Sequence, residues 1–301
     1  MFAEARLSSG LTISYQVFGE GAPLLLIMGL GAQMLLWPDP FCEALAARGY
    51  QVIRFDNRDV GGSTRLDWAP PIHLADVLLA VAGRRRTKAP YLLADMADDA
   101  WGLLDHLGLH RVHVVGASMG GMIAQTMAIG RPDRVLSLTS IMSTTGSRRV
   151  GLPSPKGLSA LLRRPAPGEQ GAVDFLVHVL ESTGSPAYPV ARADVELIAK
   201  RCFQRGATGA GFLRQLMAVV SSGDRTIALR NLRVPTLVIH GEEDPLVGIT
   251  GGEATASAVP GAVFHRIAGM GHDLPPQLWP RMIDAIDAVA TQAPSLVTRA
   301  T

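Results

Sequence analysis

The chain has 301 residues, of which 48% are apolar and 18% charged, and its formal net charge is +2 at pH 7. That length corresponds to a prior of about two domains with room for a large core and a closed pocket. The balanced charge gives no argument for binding nucleic acid or a membrane.

Taken in chain order, short apolar runs alternate with longer amphipathic stretches, and no internal repeat is present. Leu11 to Phe18 alternates and predicts a strand, and Leu24 to Met28 (LLLIM) is the continuous run of a strand buried on both faces. Trp37 to Arg48 predicts a helix closed by Gly49 at its C-terminus. Gln51 to Phe55 is the next strand, Tyr91 to Leu107 a helix, Arg111 to Val115 a strand, Met119 to Ile129 a helix and Val135 to Met142 a strand. From Gly146 to Asn231 the pattern becomes helical and rich in Gly, Pro and Arg, with helices predicted at Leu176 to Leu180, Val195 to Phe203 and Phe212 to Val220. Strand–helix alternation resumes with Thr236 to His240, Val263 to Ile267 and a last helix from Leu278 to Val289. The basic run Gly83 to Lys88 reads as an exposed loop, and the arginine-rich bias of residues 146–231 as a solvated helical surface.

This order implies a mostly parallel sheet with helices on both faces. Residues 1–145 and 232–301 would form the core domain, and 146–231 an inserted helical cap. Cys42 and Cys202, both in apolar helical surroundings, read as buried thiols and not as a disulfide or a metal site. The N-terminal MFAEARLSSG lacks the features of a secretory signal, and no apolar run approaches the roughly 20 residues needed to span a bilayer. The expectation is a cytoplasmic protein.

Ligands of open parallel sheets bind at the carboxyl ends of the strands, so catalytic candidates are sought there. Gly116-Ala117-Ser118-Met119-Gly120 follows a buried β-run and opens a helix. As a bare Gly-x-Ser-x-Gly it is a weak signal, but a strand that turns straight into a helix needs small neighbours around its strained corner. The corner serine then stands at a helix N-terminus, where free N–H groups and the helix dipole favour negative charge. Ser118 is the candidate nucleophile.

A serine hydroxyl needs a general base, and the base needs an orienting carboxylate. Asp244 follows the strand Thr236 to His240 and precedes Pro245, which restricts the loop. Glu242 and Glu243 are its competitors. His272, between Gly271 and Asp273 after the last strand, is the candidate base. The other histidines lie within strands, at helix ends, in a loop or in the cap. The oxyanion of a tetrahedral intermediate needs two donors, expected from the backbone N–H of Met119 and of Leu30, in the loop after LLLIM.

With LLLIMGLG, QVIRFDNRDVGGST, VHVVGASMGG, PTLVIHGEEDP and IAGMGH together, the chain resembles the α/β-hydrolase superfamily over nearly its whole length. Asp56 to Ser63 is similar to that superfamily's Asp-x-Arg-Gly-x-Gly-x-Ser turn, with Asp59 in place of the usual glycine; the turn's role there is mainly structural. More narrowly, MGLG, WPDPF, VIRFDNRD, GASMGG and GMGHDLP resemble the subgroup containing aclacinomycin methylesterase. The resemblance implies carboxylic ester hydrolysis of a small molecule, with no cofactor and no metal. Most members carry His-Gly at the oxyanion loop, where this chain has Met28-Gly29, a change that touches a structural hydrogen bond and not the backbone donor. The same triad also serves perhydrolase, lactonase and C–C bond hydrolase chemistry. A ligand-binding protein can retain the fold too, although an intact Ser, Asp and His argues against it.

Overall fold

The computed structural model describes residues 2–83, 88–206, 209 and 211–293. Eight strands form one sheet: β1 (Ala3–Arg6), β2 (Thr12–Phe18), β3 (Ala22–Ile27), β4 (Tyr50–Phe55), β5 (Val112–Ala117), β6 (Val135–Ile141), β7 (Thr236–Gly241) and β8 (Val263–Ile267). Their spatial order is β1-β2-β4-β3-β5-β6-β7-β8. β1 and β2 join antiparallel at one edge, and β4 through β8 run parallel.

The LLLIM run shows why a parallel strand loses the polar–apolar alternation. Leu25 and Ile27 enter the core on one face of the sheet, with Val112, Val114 and Leu138. Leu24 and Leu26 enter the core on the other, with Val115, Ile141 and Ile239. Successive side chains still alternate between faces, but both faces are covered by helices. Helices α1 (Asp39–Ala46) and α11 (Trp279–Ala290) cover the second face. Helices α3 (Leu93–His106) and α4 (Met119–Gly130) cover the first. Gly49, predicted to stop the first of these helices, adopts φ +90°.

Three elements of the core escape the periodicity argument. β1 is a four-residue edge strand with only Ala5 buried. Helix α2 (Leu74–Val81) is nearly all apolar, so it shows no stripe. Helix α10 (Thr250–Ala258) is built of small residues that bury without an apolar pattern. Residues Arg84 to Thr87, the centre of the run expected to be an exposed loop, lie outside the described residues. Cys42 is buried in α1, as expected, whereas Cys202 is only half-buried.

Among the described residues, five helices stand between β6 and β7: α5 (Pro155–Leu162), α6 (Gly168–Thr183), α7 (Arg192–Gln204), α8 (Gly211–Ser222) and the short α9 (Thr226–Leu229). α6 and α7 share their own small apolar cluster of Val173, Val177, Val195 and Ala199. α8 instead packs on α2 through Met217 and sends Ala218 into the main core. Its attachment is also ionic. Arg214 of α8, 3% exposed, makes two hydrogen bonds of 2.9 and 2.7 Å to Asp59. Asp59 also accepts from Tyr91 Oη at 2.6 Å and from the Leu66 N–H at 2.8 Å. Burial alone would raise the Asp59 pKa; the hydrogen bonds from Arg214, Tyr91 and Leu66 outweigh it and hold the carboxyl below its ordinary value. A separate tie, from Arg205 just after α7, reaches Asp56 at 2.7 Å. Among the described residues, no helix is long and apolar enough to cross a membrane.

Asp59 occupies a left-handed conformation, φ +72°, that costs a non-glycine residue about 1–2 kcal/mol. Asp59→Gly would relieve that strain but leave buried Arg214 with only exposed Asp67, 3.3 Å away, a loss approaching the roughly 3–5 kcal/mol of a broken buried pair. The second effect is larger. Urea denaturation is therefore expected to show Asp59→Gly less stable than the native protein, despite glycine's preference for that backbone.

Candidate active site

The sheet order makes a site at the carboxyl ends of β3 and β5. These strands are neighbours, but the chain leaves β3 for β4 on one side and later returns to β5 on the other. The loops that follow them therefore diverge and leave a crevice, the topological switch point of an open α/β sheet.

Ser118 stands at this point between β5 and α4, at φ 57° and ψ −121°. Its neighbours explain how that turn closes. A Cβ on Gly116 would lie 2.1 Å from Gly120 O, and one on Gly120 would lie 2.0 Å from Ile27 O. Neither position admits a side chain. The Ser118 N–H donates to Ile141 O at 2.9 Å, and its carbonyl accepts from Ser143 Oγ at 2.8 Å. The backbone is held on both sides while the side chain remains part-exposed.

Asp244 follows β7, with its side chain wholly buried. Its Oδ1 accepts from the N–H groups of Leu246 and Val247, each at 2.8 Å. Its Oδ2 lies 2.7 Å from His272 Nδ1. Burial would push this carboxyl up, but the His272 charge, hydrogen bonds from His240 and His272 and the Val247 N–H together hold it well below the usual carboxylate range. Asp244 is thus an acceptor; in the neutral imidazole this puts the His272 proton on Nδ1 and leaves Nε2 as an acceptor in turn. His272 Nε2 lies 3.0 Å from Ser118 Oγ. Glu242 and Glu243, the competitors in the sequence, are both exposed.

Leu30 and Met119 fall where the sequence places them, after β3 and at the first position of α4. A Cβ built on Gly29 would lie 3.1 Å from Ser118 Cβ, so the β3 loop runs directly beside the serine. Asn57 Nδ2 holds the start of that loop by donating to Met28 O at 2.9 Å.

Two supporting groups were not legible as such. His240, read in sequence only as a strand residue, is fully buried with Nε2 2.7 Å from Val247 O and 3.5 Å from Asp244 Oδ2. It braces the loop that presents Asp244. Ser185, just after α6, holds the histidine loop. Its Oγ accepts from the Gly271 N–H at 2.9 Å and donates to buried Asp273. The His272 N–H donates to Thr183 O at 2.6 Å, and the Ala187 N–H to Gly269 O at 3.2 Å. Approach this close needs a glycine, because a Cβ on Gly271 would lie 2.4 Å from Gly184 O. Their positions do carry a trace of this in the sequence, as glycines at 269, 271 and 184 on both sides of the contact.

A crevice of about 120 Å³ lies between the β3 loop and helices α6 and α7, lined by Ala32, Leu36, Ala172, Leu176, Ala199 and Phe203. Cys202 borders it, and burial pushes its thiol up to about 12. Gln33, also at this crevice, spends its Nε2 on Cys202 O and Gly206 O at 2.8 and 2.9 Å. Among the described residues, no group of three or more His, Cys, Asp and Glu side chains is placed to hold a metal ion.

The fold and this arrangement define a class, and comparison with known proteins agrees: the chain belongs to the α/β-hydrolase fold family, whose model matches residues 22–188. Within that family it is similar to rhodomycin D methylesterase DauP of Streptomyces sp. (strain C5), 30% identical over 84% of this chain and 86% of the relative. It is also similar to rhodomycin D methylesterase DnrP of Streptomyces peucetius, at 29% identity over the same shares. Among solved structures, the enol-lactonase from Burkholderia xenovorans LB400 superposes with a TM-score of 0.71 at 22% identity, covering 96% of this chain and all of that one, a likeness of fold.

Burial raises the Asp273 pKa, against the opposing hydrogen bonds from Ser185 and the charge of His272. A carboxyl raised in the folded state favours folding while protonated and loses that advantage as pH rises through its folded pKa. Asp273→Asn keeps an acceptor for Ser185 without the charge. The difference in unfolding free energy, variant minus native, is expected to grow from pH 3 to pH 7 in denaturant titrations.

Proposed function

We propose that the protein is a carboxylic ester hydrolase that works through a Ser118–His272–Asp244 triad and an acyl-enzyme. The observation that carries this reading is the unbroken hydrogen-bond chain from Ser118 Oγ through His272 to Asp244, at 3.0 and 2.7 Å.

In this mechanism Ser118 Oγ attacks the ester carbonyl carbon as its proton passes to His272 Nε2. The carbonyl oxygen becomes an oxyanion and takes hydrogen bonds from the Leu30 and Met119 N–H groups, at the N-terminus of α4. The intermediate collapses, the C–O bond to the alcohol breaks, and His272 returns the proton to the departing oxygen. Water, deprotonated by the same nitrogen, then attacks the acyl carbon and releases the acid and Ser118. Asp244 stays ionised throughout and stabilises the imidazolium.

Residues 146–231 act as a cap over the strand ends, and the crevice against α6 and α7 accepts an apolar part of the substrate. Methyl esters are the first substrates to test, because DauP and DnrP are methylesterases.

The purified protein is expected to hydrolyse short-chain p-nitrophenyl esters and methyl carboxylates. Ser118→Ala abolishes turnover, and Asp244→Asn lowers kcat by about 10⁴-fold while leaving the fold intact. Equal hydrolysis by native protein and Ser118→Ala, followed by p-nitrophenol release or by titration of the acid formed, would refute the reading.

A further inference from the structure

The β3 loop, Gly29 to Ala32, has little means of fixing its own backbone. Its side chains are two hydrogens, Leu30 and a methyl group, and within it the Ala32 N–H reaches Gly29 O only at 3.3 Å. An oxyanion hole is effective only if its donors are aimed before the charge develops, so something outside the loop must aim them.

Gln215, on the first turns of α8, is fully buried and stands against this loop. Its Oε1 accepts from the Gly31 N–H at 2.8 Å, and its Nε2 donates to Arg58 O at 2.8 Å. The two partners settle which way the amide points, because an N–H only donates and a carbonyl only accepts. Holding the Gly31 N–H holds the plane of the Leu30–Gly31 peptide, next to the peptide that carries the Leu30 N–H. Phe212, one turn earlier on α8, closes on the same residue: a Cβ on Gly31 would lie 2.8 Å from its ring.

α8 is itself rigidly docked. Arg214, adjacent to Gln215, is the buried partner of Asp59, and Ser222 Oγ at the far end of α8 accepts from the Leu93 N–H at 2.9 Å. Arg58, whose carbonyl Gln215 binds, is pinned through its guanidinium to Asp99 at 2.5 and 2.7 Å. Gln215 therefore connects the loop beside Ser118 to two buried ion pairs.

We propose that Gln215 is the positioning residue of the oxyanion hole: a cap side chain that sets the orientation of the Leu30 N–H without touching substrate. This rests on the ester-hydrolase reading given above. It makes the cap a part of the catalytic scaffold, with α8 aiming the oxyanion loop as the end of α6 holds the histidine loop.

The test compares native protein with Gln215→Met, close in shape but unable to hydrogen-bond, and with Gln215→Glu, which keeps an acceptor facing Gly31. Three quantities are measured: melting temperature, kcat and KM for p-nitrophenyl acetate, and the inhibition constant of phenylboronic acid, whose tetrahedral adduct on serine directs an oxygen into the hole. Gln215→Met is expected to lower kcat by roughly 10- to 100-fold, the cost of a misplaced catalytic group, with KM unchanged. Boronate affinity falls by a matching factor, and Gln215→Glu retains more of both. A folded Gln215→Met with native kcat, a loss confined to KM, or a fall in kcat without a fall in boronate affinity would overturn the proposal. If Gln215→Met does not fold, Gln215→Asn, whose amide falls one methylene short of the Gly31 N–H, takes its place and is read by the same outcomes: a matching fall in kcat and boronate affinity supports the proposal, and native values of both overturn it. Turnover that depends on Ser118 but is indifferent to Gln215 defeats this inference alone; absence of Ser118-dependent turnover defeats the ester reading.

Discussion

The turn at Ser118 is the constraint to which the rest of the structure answers. A non-glycine residue at φ 57° is strained, and it persists only where its surroundings leave no alternative. Here β5 ends, α4 begins at the next residue, and glycine backbones at 116 and 120 come so close that no Cβ fits at either. The hydroxyl is thereby lifted out of the sheet at the head of a helix. The N–H groups that would otherwise be unsatisfied at that helix end become available to an anion. Relaxing the turn would return the side chain to the sheet and remove the serine from both His272 and the β3 loop.

The site must also bring together strands that are not neighbours. β8 lies three strand positions from β5, about 14 Å at the usual interstrand spacing. The histidine can reach the serine only if its loop folds back across the end of β7, a path where one bond, from the Glu243 N–H to Met270 O at 3.0 Å, leaves the histidine itself in need of others. Thr183, Ser185 and Ala187 supply them from the end of α6. The β3 loop is in the same position and takes its bonds from Asn57 and Gln215. The strained corner is rigid through the sheet; the two loops around it are rigid because helices outside the sheet hold them.

Buried carboxyls recur in this interior. Asp56, Asp59 and Asp99 are each buried and each faces an arginine, Arg205, Arg214 and Arg58. At Asp59 the partners outweigh burial and hold the carboxyl low, whereas burial raises Asp99 even beside Arg58. Asp244 has no arginine but two histidines, His272 and His240, and backbone N–H groups, enough to keep it ionised and so to fix the tautomer of His272. Asp273, one residue further on, faces a serine, and burial moves its pKa the other way. Neighbouring carboxyls of the same type are thus driven apart by their surroundings, and only one of them is in a state to orient a base.

The sequence by itself determined the parallel α/β architecture, because buried strands and amphipathic helices differ in period, and it singled out Ser118, Asp244 and His272 as candidates, because each follows a strand; the structure brings the three within hydrogen-bond reach of one another. It could also mark Asp59 as a departure, since a carboxylate at a position suited to glycine breaks a local rule. What it could not determine was anything that depends on residues distant in the chain. The pairing of Asp59 with Arg214 spans 155 positions, the bond from Gly31 to Gln215 spans 184, and that from Gly271 to Ser185 spans 86. No periodicity or motif relates such positions. Arg214, Gln215 and Ser185 read in sequence as ordinary polar residues of a helical segment. Only the tertiary structure, by docking that segment on the strand ends, gave their side chains a buried partner.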